Sequence, residues 1–343
     1  MTSQASIDNV VASAKRARVG KRQTQAPSPS ASESGLLFHE PWWLSAATAD
    51  QCQDVVVRSG DEVVGRLPFV THRRMGFTVL RMPSFTHVLG PAVNPGAGKP
   101  QTQLTRRMSI TRGLIDQLPA FDYFKQALPS ASAEGLAFQD RGFQVSPQYT
   151  FEIDCRDAPE KIWDGMHFKT RQHVRRAEEK YVVTSLDSAS DFVQFYRENL
   201  QRRGLRAFTA LDQFPTLAAA CWDRDSGEIL SACRPDGRPV AMVFLVWGGG
   251  VMYYLMSTRS AEADDNGSVS LLIWTAIQRA HSRGLRFDLD GVSTSGTARF
   301  LSGFGGRIKI RLIVHKSRLL FGALQSARQR LLRPPNAVTA DFT

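Results

Sequence analysis

Two carboxylates alternate with apolar residues in Arg286-Phe287-Asp288-Leu289-Asp290-Gly291. Residues two apart share one face of an extended strand, so Asp288 and Asp290 are expected side by side. At a buried strand end, such a pair can raise one pKa and create a base; the other reading is that the acids hold Arg299 or a loop backbone in place. A second concentration of chemistry is Lys169-Thr-Arg-Gln-His-Val-Arg-Arg-Ala-Glu178. On a helix, Arg171 and Arg175 stack one turn apart, with Lys169 and Arg176 toward neighbouring faces, a set suited to clamping a phosphate. Glu178 and Glu179 can neutralise it, which makes the alternative a solvated face. A third is Asn266-Gly267-Ser268, which opens an apolar helical pattern. The N–H groups and dipole of a helix start suit a pyrophosphate, but Asp264 and Asp265 repel one, and an ordinary turn and N-cap fits equally. Tyr253 and Tyr254 point to opposite faces, one for a core and one for a cleft. His167 and His173 do not share a helix face, so no metal pair is expected.

The elements around these residues occur twice. Glu228–Ser231, Arg238–Trp247 and Val251–Thr258 read as strands, an apolar helix follows to Arg283, and Arg286–Gly291 reads as another strand. A fainter copy runs Val55–Arg58, Glu62–His72, Thr78–Met82, a helix near Leu104–Leu118, then Phe121–Leu128. A repeat of this length predicts two α/β modules. Between them lie Gly142–Asp154, strand-like, one helix over Glu160–Lys180, and helices over Asp191–Arg203 and Leu211–Arg224. Pro41 suits the first turn of a helix that buries Trp42 and Trp43.

The 343 residues carry a net charge of +11, concentrated at the ends: residues 1–35 hold +3 and residues 307–343 hold +7. Charge on the tails points to an anionic membrane surface or nonspecific contacts rather than a specific nucleic acid, with solvated tails the bland alternative. Residues 1–35 are Ala, Ser, Gln and Pro rich and are expected to be disordered. Ser317–Arg333 alternates Leu and Phe with Arg, as an interfacial helix does, or one docked on the fold. No apolar run approaches the length of a membrane span, and no secretory leader is evident. Cys52, Cys155, Cys221 and Cys233 are scattered, as reduced cytosolic thiols are. The chain is thus expected in the cytoplasm, with peripheral contact at the inner membrane face left open.

Three stretches in this order resemble the GNAT acyltransferase superfamily, in its tandem Fem-type branch. They are Trp42-Trp43-Leu44 with Gly65-Arg66-Leu67-Pro68, the basic run Lys169–Glu178, and Phe287–Gly291 with Phe300-Leu-Ser-Gly-Phe-Gly-Gly306. The branch includes aminoacyltransferases of peptidoglycan cross-bridges and acyltransferases of surface-polysaccharide pathways. The resemblance implies two tandem GNAT-like modules, each a mixed twisted sheet flanked by helices. Their expected bounds are 36–155 and 156–316, between tails 1–35 and 317–343. It also implies acyl transfer from a thioester, an acyl-CoA, to an amine of a sugar or cell-envelope precursor, small or lipid-linked, with no metal. Asp288, Asp290 and Tyr254 would be catalytic. The backbone of Met256, Ser257 and Thr258, with Asn266, Gly267 and Ser268, would hold the donor; Lys169, Arg171, Arg175, Arg176 and Arg299 would hold the acceptor. The acceptor cleft is expected between the modules, bounded by the Lys169–Arg176 helix and the Phe85–Gly90 loop. Leu301 stands where many relatives have Lys, and the donor loop keeps its Gly but neither end. An aminoacyl-tRNA-dependent peptidyltransferase, or a non-catalytic basic membrane or nucleic-acid adaptor, are the other readings. Pairing of Met252–Ser257 with Phe287–Asp290 along its full extent would exclude acyl transfer.

Overall fold

A computed structural model describes residues 35–130, 132–260, 267–292 and 294–318. They form two compact units. One holds the residues up to Gln148 and those from Ile310 onward; the other is Tyr149–Lys309. The unit boundaries thus fall at 148/149 and 309/310, beside the 155/156 and 316/317 read from the sequence. The expected disorder of the N-terminal tail (1–34) and the expected amphipathic helix beyond residue 318 lie outside the described residues.

In the first unit, helix α1 (Pro41–Thr48) precedes strands β1 (Gln53–Ser59), β2 (Glu62–Arg74), β3 (Phe77–Arg81) and β4 (Ala92–Val93). Helix α2 (Pro100–Asp116), strand β5 (Tyr123–Leu128) and helix α3 (Glu134–Asp140) follow, and the unit closes with Ile310–Ser317 of β12 (Arg307–Ser317). The sheet order is β1-β2-β3-β5-β12, with β4 on β2. Only β3 and β5 run parallel, joined by α2 as the crossover. Pro100 starts α2 at a position that needs no N–H. Ile110 and Leu114, one turn apart, then face the sheet at Leu67, Phe69, Leu80 and Phe124. Gly65 is required there: a Cβ would lie 2.3 Å from Ile110 Cγ2.

In the second unit, strand β6 (Gln144–Asp154, of which Tyr149 onward belongs here) leads to helices α4 (Pro159–Gly165) and α5 (Phe168–Glu178) and strand β7 (Val182–Ser185). Then come α6 (Ala189–Arg202), α7 (Phe214–Trp222), β8 (Gly227–Cys233), β9 (Pro239–Gly248) and β10 (Val251–Arg259). Helix α8 (Gly267–Ser282), β11 (Arg286–Gly291) and α9 (Ser295–Ser302) complete it. The sheet order is β6-β11-β10-β9-β8-β7, and β10/β11 is the one parallel pair. Val240–Trp247 is buried throughout, as a central strand covered on both faces must be. Ala241, Val243 and Leu245 meet α8, whose Leu272, Ile273, Ala276 and Ile277 are fully buried. Phe244 on the opposite face meets Phe214 and Phe192, ring centroids 4.9 and 6.5 Å away.

The hairpin–crossover helix–parallel strand plan therefore occurs twice, as β2-β3-α2-β5 and β9-β10-α8-β11. One expectation is corrected. The single helix over Glu160–Lys180 is two, broken at Met166-His167, because the loop Gly303–Gly306 seats itself at that point. The His167 N–H donates to the Gly303 carbonyl at 2.8 Å, and a Cβ on Gly303 would lie 2.3 Å from Thr170 Oγ1. Gly305 has φ +79°, and a Cβ there would lie 2.7 Å from the Gly165 carbonyl oxygen. The glycines of the Phe300–Gly306 motif thus serve close backbone packing. Helices Glu134–Asp140 and Ser295–Ser302, too short to write a period, also went unread.

Candidate active site

Strands β10 and β11 share three rungs, Val251↔Arg286, Met252↔Phe287 and Tyr253↔Asp288, and then part. Both carry an extra residue just beyond, on the side away from each other. On β10, Tyr254 faces Leu245 and Met256 faces Phe244, leaving Leu255 as the bulge. On β11, Asp288 faces Glu152 and Gly291 faces Thr150, so Leu289 and Asp290 together oppose one residue of β6. Each bulge bends and twists its strand, and the pair opens the sheet at Tyr253/Asp288. The full ladder that would exclude acyl transfer is not formed.

The β11 bulge has its own clamp. Asp290 takes φ +73°, a conformation Asp tolerates better than most residues. Its N–H donates to Asp288 Oδ1 at 2.9 Å, and the buried Thr150 hydroxyl lies 2.7 Å from the same oxygen and within reach of the Asp290 carbonyl. Asp288, itself buried, therefore anchors a turned backbone. The strand alternation that predicted two carboxylates side by side ends at Leu289, because Asp290 leaves the extended region. Thr150 was missed: a lone Thr in a strand carries no signal in sequence.

The β10 bulge moves side chains between faces. Residues 254 and 257 would point oppositely in a regular strand; one extra residue puts both on the same face. The pattern follows: Tyr254, Ser257 and Arg259 are half-buried, whereas Tyr253, Leu255, Met256 and Thr258 are buried. Burial pushes the Tyr254 phenol well above the usual tyrosine range; a hydrogen bond with Ser257 opposes this and the Asp290 carboxylate adds to it. Tyr254 is thus protonated at neutral pH, between Ser257 and Asp290. Thr258 is engaged elsewhere, accepting from Asn199 Nδ2 at 3.1 Å.

Helix α8 begins beside this opening in sequence. Gly267, Ser268, Val269 and Ser270 are all buried, and the Ser268 hydroxyl has no partner among the described residues. Asn266, with Asp264 and Asp265, lies outside them. The basic residues of α5 are less uniform than the sequence suggests. Arg171 donates to the Trp163 and Asp164 carbonyls at 3.3 and 2.9 Å, capping the end of α4. Arg175 lies 5.5 Å above the Trp163 ring, which itself meets Trp274 of α8 at 4.8 Å. Lys169 reaches over the exposed Phe168, and Arg176 and, on α9, Arg299 are exposed. His167 accepts from the Lys169 N–H and caps α5. No group of His, Cys, Asp and Glu among the described residues could hold a metal ion.

The matching place in the first unit is filled by the chain itself. β3 and β5 also share three rungs, ending at Arg81↔Lys125. Beyond them the Leu89 N–H donates to the Ala127 carbonyl at 2.8 Å, the Ala127 N–H meets Met82 Sδ at 3.2 Å, and buried Gln126 donates to the Pro68 carbonyl at 2.6 Å. The Met82–Pro91 loop is thus laced into the gap. His39, buried, bonds the Leu89 carbonyl, and Trp43 donates to Thr86.

A profile described as the acetyltransferase (GNAT) domain matches residues 168–299, which contain both parted strands and α8. The fold of the whole chain is similar to that of solved tandem proteins. One is the crystal structure of FemX, with a TM-score of 0.62 at 12% identity, covering 93% of this chain and 98% of that one. Residues 168–299 thus match the GNAT domain, and the fold of the whole chain is that of Fem-like tandem proteins. A tandem GNAT protein from the clavulanic acid biosynthesis pathway has a TM-score of 0.52 at 13% identity, over 90% and 93% of the two chains. The C-terminal domain of a candidate lysylphosphatidylglycerol synthetase from Agrobacterium fabrum has a TM-score of 0.51 at 12% identity, over 82% and 88%. No curated protein matches the chain. Among the described residues no helix is long and apolar enough to cross a membrane.

Proposed function

We propose that the second unit is an N-acyltransferase that moves an acyl group from a thioester, an acyl-CoA, to an amine of a sugar or cell-envelope precursor. The observation that carries this reading is the opening of β10 from β11 with Tyr254 and Ser257 turned onto one face of it. The buried, unpartnered Ser268 hydroxyl at the start of α8 fits the anionic part of such a donor. When bound, the donor supplies an activated carbonyl. In this reading the amine nitrogen bonds to that carbonyl carbon and the carbon–sulfur bond breaks. Backbone N–H groups among Met256, Ser257 and Thr258 stabilise charge on the carbonyl oxygen. Asp290 accepts the amine proton, Asp288 and Thr150 hold Asp290 in place, and Tyr254 gives its proton to the departing sulfur. The exposed Lys169, Arg176 and Arg299 attract an anionic acceptor, while Arg171 acts by fixing α4 to α5. Domain bounds near 148 and 310 and peripheral contact of the basic 317–343 segment with membrane belong to the same reading.

The test is thiol release from acetyl-CoA with and without amino sugars, beside transfer from charged tRNA. Amine-dependent thiol release supports the reading. Turnover only with charged tRNA would reassign the donor to aminoacyl transfer. Turnover with neither, alongside steep salt-dependent binding to duplexes, would favour a non-catalytic adaptor.

A further inference from the structure

The register of the first unit lines up three basic residues that no acid balances. Arg81 of β3 is directly beside Lys125 of β5, and Lys125 is directly beside His315 of β12. All three therefore share one face, and adjacent strands are about 4.8 Å apart, so the row spans roughly 10 Å. His72 joins it: Val70 pairs with Arg81, and His72 is two residues along the same strand. Helices α2 and α3 pack on the opposite face, where Leu80, Phe124 and Val314 are buried. On this face Arg81, Lys125 and His315 are half-buried and His72 is exposed. None of the four has a carboxylate partner among the described residues. Asp122, the nearest acid in sequence, is held by the Thr78 N–H at 2.8 Å and by Arg318 at 3.5 Å. Like charges directly opposite on a sheet destabilise it, and half-burial sharpens the cost. Partial burial and the field of Arg81 both lower the pKa of His72, as expected where no anion compensates.

The hairpin carrying half of this row ends in Met75-Gly76, with φ +50° and +83°. A two-residue turn with both φ values positive favours Asn-Gly. Met75 occupies it nonetheless, at 88% exposure. Neither folding nor solubility accounts for an exposed Met at that position. The row's far end, at His315, runs within three residues into Arg318, beyond which the sequence continues Leu319-Leu320-Phe321.

We infer that this sheet face is a docking surface for anionic membrane lipid. Arg81, Lys125 and His315 meet lipid phosphates, and Met75 enters the acyl boundary at the hairpin tip. The surface is built from the first unit alone and does not depend on the chemistry of β10 and β11. Co-sedimentation of the full chain with phosphatidylcholine vesicles, with and without phosphatidylglycerol, tests it. Wild type is expected on the phosphatidylglycerol vesicles alone, and less so at high salt. Arg81→Gln with Lys125→Gln is expected to lower that affinity roughly 25-fold, about five-fold per lost charge, and to leave thiol release in solution unchanged. Met75→Asn is expected to weaken binding while raising the melting temperature. Acetylation footprinting of wild type needs no variant: Lys125 should be protected by phosphatidylglycerol vesicles and not by phosphatidylcholine. Vesicle affinity unchanged in the double variant, or Lys125 equally reactive on both vesicles, overturns the proposal. So does a double variant that loses RNA binding while vesicle binding stays intact, which would make the face a nucleic-acid surface.

Discussion

Tyr254 shows how far a single side chain could be read in advance. Its place in an apolar strand beside Tyr253 predicted that one ring serves the core and one the cleft, and Tyr253 is buried where Tyr254 is half-buried. Its raised pKa could not be read, because burial sets it, and the Asp290 carboxylate that adds to it is placed by a bulge with no sequence signature. If Tyr254 is the proton donor, Tyr254→Phe should lower kcat by about 10²-fold or more with KM nearly unchanged. A raised KM with kcat unchanged would assign it to binding instead. The sign of its pH effect on stability is fixed: a phenol whose folded pKa is raised stabilises below about pH 10 and loses that contribution as pH climbs further. His39 works at the other end. Burial lowers its pKa to about 4, against a bond to the Leu89 carbonyl that raises it. Its folded pKa is depressed, so its contribution is whole above about pH 6.5 and is lost as pH falls toward 4, up to about 3 kcal/mol. Melting temperatures across that window should fall steeply in wild type and less so in His39→Gln. Burial also pushes the thiols of Cys155 and Cys221 up to about 12, so both should resist alkylation in the folded protein.

At the scale of elements, strands and long helices were legible because their burial has a period. The copy predicted over Glu228–Gly291 matches β8 through β11 within two residues at nearly every end, and the fainter copy matches β1, β2, β3 and β5 almost as well but leaves β4 unread. What the pattern could not carry was the irregular backbone: two bulges, a helix broken by an inserted loop, and one Asp in the left-handed region. These are set by contacts from distant sequence, Thr150 to Asp288 across 138 residues among them. They are also the features that open the site. Deleting Leu255 should restore regular pairing of β10, return Tyr254 and Ser257 to opposite faces, and abolish turnover in a folded protein. A shortened strand that stays active would show that the opening does not need its bulge. Gly305→Ala forces both a strained φ and a clash with the Gly165 carbonyl, and should cost about 1–3 kcal/mol in a thermal or denaturant melt.

At the scale of the molecule, duplication is the feature the sequence displayed most openly, and divergence of the copies the one it hid. Composition gave no hint that Met82–Pro91 is laced between β3 and β5, since a Gly/Pro-bounded apolar loop is ordinary in a protein of this size. Calorimetric titration with an unreactive acyl-CoA analogue should therefore find one donor site per chain. Two equivalent sites would mean that the Met82–Pro91 loop yields to ligand.

The order of the strands also bears on how the protein is made. Residues up to 148 leave the ribosome first, yet their sheet lacks β12 until residue 317 has been translated. The later-translated unit, Tyr149–Lys309, is complete eight residues earlier. For most of its synthesis the nascent N-terminal half presents β5 as a raw edge, open to pairing with other chains. Truncation before residue 310 should accordingly yield an aggregating product, and a separately supplied Ile310–Ser317 peptide should rescue its solubility.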